Sequence, residues 1–453
     1  MSRLITLVPL EGVEPPTLSL GRNCSSIELQ RLAGTVYRGA NVAWAGYSLS
    51  VKIYLATLGS RGDNEPFRAL ALEASSAGHE VYFAHTDDIA AHPSAPYTDL
   101  ELRGSIGKVI AEQGVSVMRA LLTYPGVMRP LLKGAAQDTT NQILNIKPDV
   151  VVYHPKIGTA AAAAHAVGGI AIRAEMVPML TPTSDFAPVG MPSWWPASWN
   201  ESSYSLVNAA VSAWSGPAKR LAKRLGAIRI DPDISLVPVS PAIIPVPEDW
   251  PADTVMTGPW FAPEQGQLDE ELATFLNLGA IVYAGFGSMK DSHGAQRADA
   301  IVSAARSLGM RVLLVTGWGG MIPSAAHEAA PDVLVRASVP HADVLPRVSV
   351  AIHHGGAGTV HSALRAGVPS VIIPFLGDQP WWARHLHQRG LGPQALPRKM
   401  TRYQDIAYVL VKAKSYRDAV KLASLQMATE DGLAKALEIM EQAEAGIHPF
   451  RAA

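Results

Sequence analysis

The chain has one cysteine, Cys24, among 453 residues. That excludes an intramolecular disulfide and any cysteine-based metal cage, and it fits a reducing, cytoplasmic setting. No apolar run reaches the roughly 20 residues needed to span a bilayer. The longest candidate, TAAAAAHAVGGIAI at 159–172, is short and carries His165, so no stable membrane insertion is expected. Charge of one sign is also lacking. Lys and Arg number 38 against 39 Asp and Glu, scattered along the chain, so there is no basic field for nucleic acid. The first residues, MSRLITLVPLEGVEPP, meet Glu11 after a few apolar positions, and no secretory signal is expected. What the chain does have is 48% hydrophobic residues, ample for two cored domains.

Residues 1–50 have no clear period and read as a non-native or irregular N-terminal extension, either a start placed too early or an irregular arm. From Val51 strands and helices alternate. VKIYLATLGS (51–60) reads as a strand, PFRALALEASSAGH (66–79) as a helix and EVYFAHT (80–86) as a strand. The alternation resumes with DVVVYH (149–154), an Ala-rich helix from Thr159, and GIAIRAE (169–175). A Pro- and polar-rich stretch, 251–265, reads as an interdomain linker. A second series follows: AIVYAGFGS (280–288), RVLLVTG (311–317), VLVRAS (333–338), VAIHH (350–354) and SVIIPF (370–375). The expected fold class is α/β, two facing doubly wound, Rossmann-like halves at 51–250 and 266–404 with a deep cleft between them. A helical pattern from 405 to 453 is expected to pack back on the first half. Ligands of such sheets lie at the carboxyl ends of the strands.

Glycine-rich turns end several of the second-half strands. In HHGGAGT (353–359) the strand ends at His354, and Gly355, Gly356 and Gly358 clear space before a helix that begins near Thr359. A helix N-terminus offers unpaired N–H groups and partial positive charge, a natural seat for a pyrophosphate. A purely structural turn is the alternative reading of that motif alone. GFGSM (285–289), TGWGG (316–320) and FLGDQP (375–380) bring Ser288, Trp318, Asp378 and Gln379 to the same edge. A carboxylate beside a carboxamide suits several sugar hydroxyls, because one accepts and the other both donates and accepts. A solvated turn before Pro380 is the competing reading.

The run VPHADVLPRVSVAIHHGGAGTVHSALRAGVPSVIIPFLGDQPWWARHLHQRGLGP (339–393) resembles the donor-binding signature of family 1 glycosyltransferases, closest to bacterial sterol and antibiotic glycosyltransferases. LATLGSRGDNEPF (55–67), GPW (258–260) and VYAGFGSM (282–289) resemble other segments of the same proteins, so the likeness covers about 51–435. It implies a GT-B fold, with an N-terminal acceptor domain, a C-terminal nucleotide-sugar domain and a terminal helix crossing between them. It further implies that His354, Gly356, Ala357, Gly358, Thr359 and Ser288 hold the diphosphate, that Asp378 and Gln379 hold sugar hydroxyls, and that the backbone of Val339 pairs with the base. Ser338 and Ser362 depart from the plant form of the signature, where a stacking tryptophan and a ribose-binding glutamate are common. The co-substrate therefore stays open between a UDP-sugar and a dTDP-sugar. Trp318 could supply stacking, or simply close its own loop.

Inverting transfer needs a base for the acceptor hydroxyl. Asp63, in GSRGD, coincides with the aspartate that the resembling enzymes place there, and it is expected to be catalytic; capping a helix from Pro66 is its alternative. His85 is a weaker candidate. No cofactor or metal is required in this reading, and Asp231-Pro232-Asp233 reads as an ordinary turn. Residues 175–215, rich in Met, Trp and Pro, suit a lipophilic acceptor such as a sterol or polyketide. Ser60, Met176, Trp194 and Trp195 are the expected acceptor-side residues, and transient contact of this segment with a membrane surface is compatible with it. A nucleotide-sugar epimerase of the same fold and a non-catalytic nucleotide-sugar-binding protein are the remaining readings.

Overall fold

The structure, a computed structural model, describes residues 4–5, 18–19, 50–59, 61–86, 94–104, 129–214, 216–227, 229–261, 268–287, 289, 293–317, 321–399 and 402–446. Ser60, Ser288, Trp318 and nearly all of the 1–50 extension lie outside them. Of the extension, Leu4–Ile5 (β1) and Leu18–Ser19 (β2) form a short antiparallel pair.

The body begins with β3 (Lys52–Ala56), α1 (Arg61–Ser76), β4 (Glu80–His85), β5 (Thr98–Glu101), α2 (Arg129–Ile146), β6 (Val150–Tyr153), α3 (Ala160–Ala166) and β7 (Ile170–Ala174). It continues with α4 (Asn200–Trp214), α5 (Gly216–Leu225), β8 (Ile234–Val237) and β9 (Thr254–Met256). All seven strands from β3 to β9 pair in parallel, in the order β5-β4-β3-β6-β7-β8-β9. Parallel strands need crossovers that cover both faces, which is why β6 reads VVVY and is buried throughout. Side chains alternate across the sheet. Ile53 and Leu55 pack with Phe67 and Leu70 on one face, and Tyr54 and Ala56 pack with Ala160, Ala161 and Ala164 on the other.

The second half carries α6 (Glu270–Leu276), β10 (Ile281–Gly285), α7 (Gly294–Ser307), β11 (Arg311–Val315), β12 (Val333–Arg336), β13 (Val350–His353), α8 (Ala357–Arg365), β14 (Ser370–Ile372) and α9 (Gln379–Gln388). Its parallel order is β12-β11-β10-β13-β14. Each sheet reverses its direction of growth once, between β3 and β6 in the first and between β10 and β13 in the second.

Three boundaries differ from the sequence reading. The stretch 251–265 is not wholly linker, since β9 is the edge strand of the first sheet; three residues among prolines are too few for a visible period. Helix α1 starts at Arg61 and contains Pro66, and α8 starts at Ala357 rather than Thr359. Of the segment from 405 onward, α10 (Tyr403–Ala413) packs on α7 and α11 (Arg417–Met427) on α8, both in the second half. Only α12 (Gly432–Glu444) lies against α1, burying Leu433, Ala436, Leu437, Ile439 and Met440 in the core of the first half.

Candidate active site

A cleft of about 2050 Å³ runs between the carboxyl edges of the two sheets. Its walls are the loops after β3, β6 and β7 on one side and those after β10, β12, β13 and β14 on the other. Both sheet reversals open into it, so the residues that follow β3 and β6 meet each other, and those that follow β10 and β13 do the same.

On the first side stands Asp63. It occupies the first turn of α1, and its side chain lies across the α-carbon of Gly59, where any Cβ would collide with the carboxylate. Thr57 Oγ1 donates to the Asp63 carbonyl at 3.0 Å, and Asn64 Nδ2 to the Gly59 carbonyl at 3.2 Å, which fixes the turn. Asp63 Oδ1 is met by His154 Nε2 at 3.2 Å and by Lys156 Nζ at 3.2 Å, both from the loop after β6. His154 Nδ1 accepts from the Lys156 amide at 3.1 Å, so in the neutral ring Nε2 carries the proton and donates it to Asp63. Burial, and then Lys156, hold the His154 pKa below its ordinary value, which keeps the ring neutral. Both imidazole nitrogens are thus engaged, and the carboxylate of Asp63 accepts hydrogen bonds from His154 and Lys156. His154 and Lys156 were missed in the sequence; the signal was their place at the end of a strand adjacent to β3.

On the second side α8 directs its first-turn amides, at Ala357, Gly358 and Thr359, into the cleft. His354 lines it as well, with Nε2 packed so closely over Gly356 that a Cβ there would come within 2.6 Å. Among the described residues the His354 Nδ1 has no hydrogen-bond partner, and burial lowers its pKa to about 4. His353 faces away from the cleft: it is fully buried, and its Nδ1 accepts from the Gly355 amide at 3.1 Å.

Asp378 caps the approach to α9. Trp382 Nε1 donates to its Oδ2 at 2.8 Å. Burial raises the Asp378 pKa to about 6, and Asp63 and Lys156 on the opposite wall lie close enough to act on its charge. Gln379 lines the cleft and also serves its own loop. Its amide oxygen accepts from Phe375 N at 2.7 Å and Leu376 N at 3.1 Å, so it closes its own loop, and its amide nitrogen faces Met289 Sδ at 3.6 Å. Farther along, Val339 and Ser338 line the wall beside Tyr283 and His341, whose side chains meet at 2.9 Å.

The model of UDP-glucoronosyl and UDP-glucosyl transferase matches residues 250–430. The vancomycin aglycone glucosyltransferase of Amycolatopsis orientalis is 31% identical over 358 residues, covering 76% of this chain and 85% of that one. The chain belongs to the UDP-glucoronosyl and UDP-glucosyl transferase family. The sterol 3-beta-glucosyltransferase of Candida albicans is 30% identical over 434 residues; the match covers 86% of this chain, which spans 28% of that longer protein. The glycotransferase of kitacinnamycin superposes with a TM-score of 0.69 at 17% identity, over 87% of this chain and 99% of that one, and shares the GT-B fold.

In this family member the acceptor-side expectations separate. Met176 lines the cleft, next to Met179 and Leu180 and opposite Leu132 and Leu144 of α2 and Leu221 of α5. Trp194 and Trp195 do not line it: Trp194 is 74% exposed, and the pair stacks with Trp199 on the outer surface. The reason is local, because Pro192 and Pro196 turn the chain outward before α4. His85 is buried against Asp99 (2.9 Å) and the Thr86 carbonyl (2.7 Å), a structural role. Asp233 is bound by His165, Arg229 and the Ala171 amide. Among the described residues no helix is long and apolar enough to cross a membrane, and no cluster of three metal-ligating side chains occurs.

Proposed function

We propose that this protein is an inverting glycosyltransferase that moves a hexose from a UDP- or dTDP-sugar to the hydroxyl of a lipophilic alcohol. The observation that carries the reading is that one cleft holds a carboxylate gripped by two donors, Asp63, opposite a phosphate-type seat at α8. The diphosphate rests on the first-turn amides of α8 and on His354, which take up the charge that develops on the leaving group. Asp378 holds hydroxyls of the sugar. The acceptor lies over Met176, Met179 and the apolar residues of α2 and α5.

Asp63 takes the proton of the acceptor hydroxyl as its oxygen attacks the anomeric carbon. The bond from that carbon to the diphosphate oxygen breaks on the opposite face, so the configuration inverts. His154 orients the carboxylate and Lys156 balances the charge around it.

Incubation with a panel of nucleotide sugars and hydrophobic alcohols, followed by mass analysis, tests the activity. A glycoside supports the proposal, an isomerised donor indicates an epimerase, and nucleotide binding without a product indicates a binding protein. Asp63→Asn is expected to lower the turnover rate about 100- to 10,000-fold with nucleotide affinity unchanged. A variant that retains full rate refutes the base assignment.

A further inference from the structure

Three large apolar side chains stand exposed on the outer surface of the first half. Trp194 is 74% exposed, Trp199 58% and Leu206 58%. The indoles form one cluster, with Trp195 between the other two at centroid distances of 6.2 and 5.8 Å and its Nε1 donating to the Trp199 carbonyl. Leu206 lies on α4, seven residues beyond Trp199, which ends the turn preceding that helix. Soluble surfaces seldom leave contiguous aromatic area in water without a use.

Helix α5, GPAKRLAKRL, packs against α4 and carries Lys219, Arg220, Lys223 and Arg224 exposed, with no acidic residue in the helix. Among the described residues none of the four has a carboxylate partner, and the chain as a whole has a net charge of -1. The positive charge is therefore local. Tryptophan rings favour the headgroup level of a bilayer, where an apolar body and an N–H are both accommodated, and cations beside them are drawn to anionic lipid. Arg220, Leu221 and Arg224 of the same helix line the cleft, so a surface that meets α5 meets the cleft mouth.

We propose that the Trp194–Trp199 cluster and the basic face of α5 form a docking surface for an anionic lipid bilayer. Docking does not depend on the transfer chemistry. It delivers the cleft to the phase in which a lipophilic alcohol partitions.

The test is co-sedimentation of the full chain with vesicles of phosphatidylcholine alone or mixed with phosphatidylglycerol. Binding is expected only with the anionic lipid, falling as salt is raised. Each cation contributes about fivefold to partition. Lys219→Glu with Lys223→Glu is therefore expected to weaken binding by at least about tenfold, and Trp199→Ala to weaken it independently. Thermal unfolding and turnover of a water-soluble acceptor should not change in either variant, because these side chains face solvent outside the cleft. Failure to bind anionic vesicles, equal binding to both lipids, or unaltered binding by both variants overturns the proposal. So does a Trp199→Ala variant that dissociates a dimer without changing lipid binding, since the patch would then be a contact between copies.

Discussion

Asp63 depends on a neighbour the chain supplies much later, and His154 depends on it in return. His154→Ala is expected to leave nucleotide affinity intact and to lower the rate by less than Asp63→Asn does, because the carboxylate remains but loses its orientation. The two substitutions act through one interaction, so the double variant should lose little more than Asp63→Asn alone, measured as a double-mutant cycle in kcat/KM. Asp378 makes a prediction of another kind. Its folded pKa of about 6 lies above the ordinary 3.8. The folded protein therefore holds this proton more tightly than the unfolded chain, and the stability gained is present below pH 3.8 and lost as pH rises through about 6. The cost at neutral pH is at most about 3 kcal/mol. Asp378→Asn should flatten this part of the stability-against-pH curve in denaturant unfolding. If the curve of the variant keeps the same fall between pH 4 and 7, burial is not what sets this carboxyl.

At the scale of elements, the loop after β7 is organised by one buried carboxylate. Glu175 pairs with Arg173 at 2.8 Å and accepts from the Met179 and Leu180 amides and from Thr181 Oγ1. This loop carries Met176 and Met179 into the cleft, so its shape is held from beneath rather than by the residues that touch the ligand. Glu175→Gln leaves Arg173 without its counter-charge and is expected to cost about 3–5 kcal/mol in unfolding experiments. In protein that still folds, KM for the acceptor should rise more than KM for the nucleotide sugar; an equal rise would show that the loop does not belong to the acceptor side. Much at this scale is legible in the sequence. The glycine turn before α8 and the two strands that precede Gly287 and Gly355 follow from apolar runs broken by glycine, although the strands end at Gly285 and His353, a few residues earlier than those runs suggest. Trp194 and Trp195 were misplaced because composition reports that a segment is aromatic, not which way two prolines turn it. Gln379 lines the cleft as the sequence suggests, whereas the bonds of its amide oxygen within its own loop leave no period to read.

At the scale of the molecule, the two halves are joined by apolar packing and a few polar ties. Val360 and Leu364 of α8 and Trp381 of α9 share a core with Val237, Val239 and Ile243 of the first half. Trp381 Nε1 donates to the Ala187 carbonyl at 2.8 Å, and His361 Nε2 accepts from the Ser240 amide at 3.2 Å. Helix α8 itself therefore attaches the second half to the segment that follows β8. Helix α12 completes the first half from the far end of the chain. Ending the chain after Glu430 would strip Leu433, Ala436, Leu437, Ile439 and Met440 from that core. Calorimetry should then show the first half melting earlier than the second, where the intact protein gives a higher onset. Coincident, unshifted melting of the truncated chain would mean that α12 adds nothing to the core.

The sequence by itself determined the two parallel sheets, the glycine-rich strand ends that line the cleft, and the family, because apolar period and glycine position are local and survive without a fold. The tertiary structure decided which of those ends meet. Neighbouring strands in a doubly wound sheet are not neighbours in sequence, so the pairing of β3 with β6 that brings His154 and Lys156 onto Asp63 exists only after the sheet has formed. The same holds for Asp378, whose carboxyl pKa rises only once the fold buries it beside Trp382.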